Sequence, residues 1–227
     1  MSYSVKEVFY TIQGEGAHAG TPAVFIRFSG CNLWSGRAEH RRRDAQRNEA
    51  ECPLWCDTDF ADGTAATVEQ VVAQAVAAVP DPAALPLIVF SGGEPLLQLD
   101  VQMVRAMRQA FPAALLAVET NGTVLPKSAP HTPDGVDWVC VSPKLPPERL
   151  KLRTGDELKV VVPAYDPREY NDFADGFTYR MVTAEARTTA VGKSLIVQDN
   201  LATAAQFCMD NPHWRLTVQT HKVIGLA

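Results

Sequence analysis

The sequence predicts an α/β fold built on parallel strands, a parallel sheet or an incomplete β/α barrel, in a single domain. Three observations carry this prediction. Short β-branched and aliphatic runs alternate with helical stretches along the chain. Several runs are apolar at consecutive positions, the pattern of parallel strands covered on both faces. The 227 residues, 46% of them hydrophobic, suffice for one sizeable core.

The runs read as strands over Ala23–Phe28, Leu87–Phe90, Ala114–Glu119, Trp138–Val141, Leu158–Val162 and Arg215–Val218. Between them, Thr67 to Val79 reads as a helix with Thr67 as its cap. Val68, Val71, Val72, Ala75, Val76 and Val79 form its apolar face. A second helix starts at Asp100 and turns Val101, Val104 and Met107 inward, with Met103 and Met107 as core packing. Ser35 to Ala50 breaks the pattern: Arg37, Glu39, Arg41, Arg42, Arg43, Asp44 and Arg47 mark a solvated surface insertion, His40 included.

The formal net charge of −5 argues against nucleic acid as a partner. The absence of an 18-residue apolar run argues against a membrane span. Met1 to Tyr10 lacks the apolar core of a secretory signal, and five cysteines is an odd count. Together these predict a cytoplasmic protein whose thiols serve as ligands or core rather than disulfides.

Ligands of parallel sheets bind at the carboxyl ends of the strands. Cys31, Ser91 to Glu94, Glu119 to Asn121 and Ser142 to Lys144 all fall just after predicted strands. Cys31, Cys52 and Cys56 form C-x20-C-x3-C around the charged insertion. Three thiolates can hold three irons of a four-iron cluster and leave the fourth open for a ligand. The spacing alone leaves two other readings standing, a zinc site and three unrelated core thiols. Cys140 and Cys208 read as core. Ser91-Gly92-Gly93-Glu94-Pro95 is a strand-to-helix turn whose glycines let the backbone approach a ligand. Arg27, inside an apolar strand, needs an anionic partner: a ligand carboxylate or an internal salt bridge. Asp57, Thr58 and Asp59 set hard oxygens beside the third thiol, suited to Mg²⁺.

Taken in order, Gln13–Gly16, Ala23–Cys31 with Asn32-Leu33-Trp34, Cys56–Phe60, Gly92–Pro95, Glu119–Gly122, Ser142–Lys144, Glu157–Val161 and Gln219–Lys222 resemble the 7-carboxy-7-deazaguanine synthases. These are radical S-adenosylmethionine enzymes, and the likeness runs nearly end to end. It implies a homodimer of incomplete TIM-like β/α barrels, each one domain over residues 1–227 with a cluster-binding loop insertion at 31–60. The implied reaction turns 6-carboxy-5,6,7,8-tetrahydropterin into 7-carboxy-7-deazaguanine with loss of ammonia. The implied cofactors are a 4Fe-4S cluster, S-adenosylmethionine and Mg²⁺, with an external one-electron reductant of flavodoxin or ferredoxin type. Carried over by position, Cys31, Cys52 and Cys56 hold the cluster and Thr58 the Mg²⁺. Trp55, Cys56, Asp57, Gly93, Ser142, Pro143 and Lys144 line the S-adenosylmethionine site. Ile12, Gln13, Gly14, Glu15, Arg27, Ser91, Glu119, His221 and the terminal carboxylate of Ala227 hold the pterin.

The chain departs from the family in three places. Its cysteine spacings are longer than those of the branch carrying Asn-Leu-Trp-Ser-Gly, with the excess in the charged insertion, where added length costs little. A Gln-Pro-Met-Asp cofactor segment of the relatives is missing. Thr183-Ala184-Glu185-Ala186 and Gln198-Asp199 are alternative substitutes between which the sequence does not choose. The chain ends in alanine where relatives often end in proline. Two rival functions stand beside the synthase: a radical activase acting on a partner protein, and a non-enzymatic zinc-binding module.

Overall fold

The computed structural model describes residues 2–50, 58–188 and 194–226, with backbone only at 187–188 and 194–196. In chain order its elements are β1 (Tyr3–Ile12), β2 (Pro22–Phe28), α1 (Arg41–Arg47), β3 (Thr64–Ala66), α2 (Val68–Ala78), β4 (Leu87–Gly92), α3 (Val101–Ala110), β5 (Leu115–Thr120) and β6 (Trp138–Val141). There follow β7 (Gly155–Val162), α4 (Asn171–Ala174), β8 (Phe177–Ala184), β9 (Ala186–Thr188), β10 (Ser194–Ile196), α5 (Gln198–Asp210), β11 (Arg215–Thr217) and α6 (Thr220–Ile224).

Among the described residues one large sheet runs β11-β8-β7-β6-β5-β4-β2-β1-β3, beside a small β9–β10 pair. Strands β2, β4, β5, β6, β7, β8 and β11 of that sheet are parallel to their neighbours in this run, as predicted. The expectation of parallel strands alone fails at one edge, where β1 is antiparallel to β2 and β3 antiparallel to β1. β1 escapes the sequence reading because a register shift between Val5 and Glu7 breaks its alternation and most of it stays at least partly exposed. β8 is hidden by Arg180 in its middle, and β3 and the small pair are too short to form a pattern.

The consecutive apolar runs behave as double-sided strands should. Ile88 and Phe90 pack into the main core with α2 and α3, while Leu87 and Val89 join Ala23 and Ala117 in a second cluster on the opposite face. Each fully buried chain of this size contributes about 1.5–3 kcal/mol. Thr67 and Gln70 form a reciprocal capping box at the start of α2, and Asp100 caps α3 by accepting from Met103 N at 3.0 Å. Met103 and Met107 are fully buried, as expected. Val76 is not on the buried face of α2: it is 38% exposed, because only Val68, Val71 and Ala75 point squarely at the sheet.

Helices do not fill every crossover. The connections β5 to β6 and β6 to β7 contain no α-helix, so the β–α alternation read from the sequence holds only in part. The charged insertion is also more than a solvated loop. It contains α1, whose Asp44 is buried and accepts from Ser35 N at 2.9 Å and Ser35 Oγ at 2.7 Å, while Asn48 Nδ2 donates to Leu33 O at 2.6 Å. Among the described residues no helix is long and apolar enough to cross a membrane.

Candidate functional site

The register of the parallel strands assembles the site. Side chains alternate along each strand, so residues paired across neighbours share a face. Arg27 pairs with Ser91, Glu119 with Cys140, and Cys140 with Glu157. Ser91 Oγ reaches Glu119 Oε2 at 3.5 Å and joins the two halves of the row. On that face the amino ends of β2, β4 and β5 carry the apolar cluster of Ala23, Leu87, Val89 and Ala117, and the polar row follows toward the carboxyl ends. The turn after β1 crosses over this face: Ala17 N donates to Glu157 Oε2 at 2.9 Å, and Gly16 N to Thr217 Oγ1 at 2.7 Å. The sheet is therefore curled, with the polar row on its concave side.

Two cavities open there and share Glu15, Thr58, Ser91, Glu119 and Gln219. The first adds Ile12, Gln13, Gly14, Arg27 and His221. Gln13 Nε2 donates to Glu119 Oε1 at 3.0 Å, and Gln219 Nε2 to Glu15 Oε1 at 2.8 Å. Lys159 Nζ lies 3.3 Å from Glu15 Oε2 and 3.8 Å from Glu119 Oε1, with only 8% of its side chain exposed. Burial disfavours the charge on Lys159, but Glu119, Glu15, Cys140 and Glu157 around it hold its pKa well above the ordinary range. Gly14 is required where the C-terminal segment docks: Thr220 N donates to its carbonyl at 2.9 Å, and a Cβ there would lie 1.9 Å from His221 Nδ1.

Arg27 satisfies both sequence readings at once. Its guanidinium pairs with Glu7 across β1 and β2 and lies over the Phe9 ring at 5.1 Å, so the internal salt bridge exists. It also lines the cavity, and its Nε is buried with no hydrogen-bond partner among the described residues.

The second cavity is lined by Cys31, Gly93, Ser142, Lys144, Lys159 and Thr183, among others, so Lys159 reaches Glu15 and Glu119 from the side of this cavity. Cys31 Sγ accepts from Leu33 N at 3.4 Å and from Asn121 Nδ2 at 4.0 Å. Gly93 N donates to Phe28 O at 3.1 Å and Glu94 N to Gly30 O at 2.9 Å, which seats the Cys31 loop on the glycine turn. Here the structure corrects the expected reason for the glycines. A Cβ on Gly93 would meet Gly30 O at 2.1 Å and Cys31 Cβ at 2.9 Å, so chain-to-chain closure demands glycine before any ligand does. Ser142 and Lys144 face the cavity and Lys144 Nζ donates to Ser142 Oγ at 3.0 Å, whereas Pro143 is buried and does not line it.

Thr183, Ala184, Glu185 and Ala186 also line this cavity, while Gln198 and Asp199 begin α5 outside its lining. Of the two candidate segments, only the first lies on this cavity. Thr183 Oγ1 is buried without a hydrogen-bond partner among the described residues. A buried hydroxyl beside a cavity, without a partner among the described residues, fits a polar neighbour such as S-adenosylmethionine. Cys52, Trp55, Cys56, Asp57 and Ala227 lie outside the described residues. Cys140 is buried, as predicted, while Cys208 is only partly so.

Lys159, Gln219 and Glu94 are the residues that sequence reading passed over. Glu94 is fully buried and ties the strand ends together, accepting from Thr120 Oγ1 and Asn121 N at 2.8 Å each and from Leu96 N at 3.0 Å. Burial raises its pKa to about 7 against the opposing pull of these donors. The signal for all three lay inside motifs already noted, but their roles depend on which way the side chains face.

No family model matches the chain. Curated relatives do, along their whole length. The 7-carboxy-7-deazaguanine synthase of Bradyrhizobium diazoefficiens is 43% identical over 234 residues, covering all of both chains. Those of Bordetella pertussis and Nitratidesulfovibrio vulgaris are 42% and 40% identical, again with full coverage of both. The crystal structure of QueE from Escherichia coli matches 97% of this chain and 95% of its own with a TM-score of 0.64 at 22% identity, a likeness of fold. With such identity sustained from end to end, the chain belongs to the 7-carboxy-7-deazaguanine synthase family.

Proposed function

We propose that this protein is a radical S-adenosylmethionine lyase converting 6-carboxy-5,6,7,8-tetrahydropterin to 7-carboxy-7-deazaguanine with loss of ammonia, in queuosine-type deazapurine biosynthesis. The observation that carries the reading is full-length identity of 40–43% to synthases of that name. The two adjoining cavities support it, one bounded by carboxylates and Arg27, the other by Cys31 and the glycine turn. In this reading the curled sheet is an incomplete β/α barrel forming one domain, the enzyme is a cytoplasmic homodimer, and a flavodoxin- or ferredoxin-type protein delivers the electron.

Cys31 would hold the 4Fe-4S cluster together with Cys52 and Cys56. When bound, the cluster and S-adenosylmethionine supply the radical that removes hydrogen from the substrate, the hard step that cofactors rather than side chains perform. Thr58, on the wall shared by both cavities, would hold Mg²⁺ as a Lewis acid for substrate oxygens. Arg27 faces the substrate carboxylate. Glu15 and Glu119 accept hydrogen bonds from the ring N–H groups, and the apolar cluster beneath them excludes water.

Protein reconstituted with iron and sulfide without oxygen, then given the tetrahydropterin, S-adenosylmethionine and a reductant, is expected to release 7-carboxy-7-deazaguanine. Formation of 5′-deoxyadenosine without that product would point to the activase. Zinc uptake with no 5′-deoxyadenosine would leave a metal-binding module.

A further inference from the structure

The carboxylates of the substrate cavity do not stand alone. Glu15 belongs to the turn after β1 and Glu119 to the end of β5, and no main-chain hydrogen bond joins those segments among the described residues. Lys159, on β7, reaches both: Nζ is 3.3 Å from Glu15 Oε2 and 3.8 Å from Glu119 Oε1. Neutral donors meet other oxygens of the pair. Glu15 Oε1 accepts from Gln219 at 2.8 Å, and Glu119 Oε2 meets Ser91 at 3.5 Å. Gln13 joins Glu119 and, through its Oε1, accepts from Glu15 N at 3.2 Å. Without the ammonium, two carboxylates would face one cavity with this cation gone from between them, and like charges confined together repel.

An amino-pyrimidinone ring presents N–H donors along one edge, and a fixed carboxylate is their natural acceptor. We propose that Lys159 is a positioning residue for substrate: bridging Glu15 and Glu119, it holds the two carboxylates at the orientation in which they accept the N–H edge of the pterin. This rests on the functional reading above and adds to it a residue that acts through others. Cys140 and Glu157, the remaining acidic groups around Lys159, belong to the floor below that bridge: Cys140 Sγ is 3.5 Å from Glu157 Oε1, and Glu157 Oε2 is taken by Ala17 N.

The test uses the reconstituted holoenzyme and the variant Lys159→Met, which keeps the length and removes the charge. The Michaelis constant for the tetrahydropterin should rise about 10-fold or more, the scale of a hydrogen bond to a charged group. Cluster iron should stay at the wild-type level, and the dissociation constant for S-adenosylmethionine by anaerobic dialysis should stay within about twofold, smaller than any single lost hydrogen bond. Adding Glu15→Gln to Lys159→Met should raise the Michaelis constant by less than the product of the two single effects, since residues of one network are not additive. Lys159→Gln, which retains a donor, replaces the methionine variant if that one does not fold, with the same expectations. An unchanged pterin constant, an equal loss of cofactor affinity, or multiplicative single effects would overturn the role of Lys159. Wild-type enzyme that makes no product would instead overturn the functional reading beneath it.

Discussion

Arg27 shows how one side chain answers two demands. Glu7 neutralises it within the sheet, Phe9 supports its flat face, and among the described residues its buried Nε has no hydrogen-bond partner, while the residue lines the cavity. A donor in that state gains from an anionic ligand. Arg27→Ala should therefore raise the Michaelis constant for the tetrahydropterin by about 10-fold or more while leaving S-adenosylmethionine affinity unchanged. Equal weakening of both ligands would contradict the carboxylate assignment. Thr58 sits where the two cavities meet. Thr58→Ala should lower turnover, with iron per chain unchanged when measured after reconstitution; loss of iron would place Thr58 in the cluster's support instead. Arginine in an apolar run is conspicuous in a sequence, whereas Lys159 is not. A lysine in Glu-Leu-Lys-Val-Val does not declare its face in the sequence, and the curl of the sheet is what turns it toward Glu15.

At the level of elements, the glycine turn after β4 and the loop after β2 form one unit. Gly93 N and Glu94 N donate to Phe28 O and Gly30 O, and Gly93 has no room for a methyl group against Gly30 O. Gly93→Ala must push the two chains apart. It should reduce iron incorporation and lower stability by about 1–3 kcal/mol, the range for backbone strain of this kind. Iron quantitation and denaturant unfolding on the same preparation test both parts; full iron with wild-type stability would refute the coupling. The strands of the parallel core were readable because consecutive apolar residues have one meaning in a double-covered sheet. β1 was not readable, because its bulge and partial exposure leave no period to find. The buried Asp44 of α1 was unreadable for the opposite reason: within a run of arginines it looks like one more surface charge.

The molecule as a whole is closed by contacts between distant parts of the chain. The turn after β1 joins Glu157 and Thr217, and Thr220 returns to Gly14. Glu94 bears on global stability, because it links the ends of β4 and β5 from a fully buried position. Its folded pKa, raised to about 7, means the folded state binds its proton more tightly than the unfolded chain does. Stability from this group is thus fully present below about pH 4.5 and is lost as pH rises through about 7. The decline amounts to up to about 3 kcal/mol. Denaturant unfolding across that window should show the fall, and Glu94→Gln should flatten it while lowering stability overall, since one of three donors loses its acceptor. A wild-type curve that rises with pH through the window would refute the assignment.

Residue order alone established the family, the parallel core and the candidate residues, because ligand-binding turns follow apolar strands and their spacing is written in one dimension. It also supplied two candidate cofactor segments, Thr183–Ala186 and Gln198-Asp199, without ranking them. Folding decided the rest. Strand register aligned Arg27 with Ser91 and Glu119 with Cys140, curvature brought Lys159 of β7 to Glu15 of a turn 144 positions earlier, and the cavity wall took Thr183 rather than Gln198. Which face a strand residue presents, and what stands opposite it, depend on pairing and twist between segments far apart in the chain.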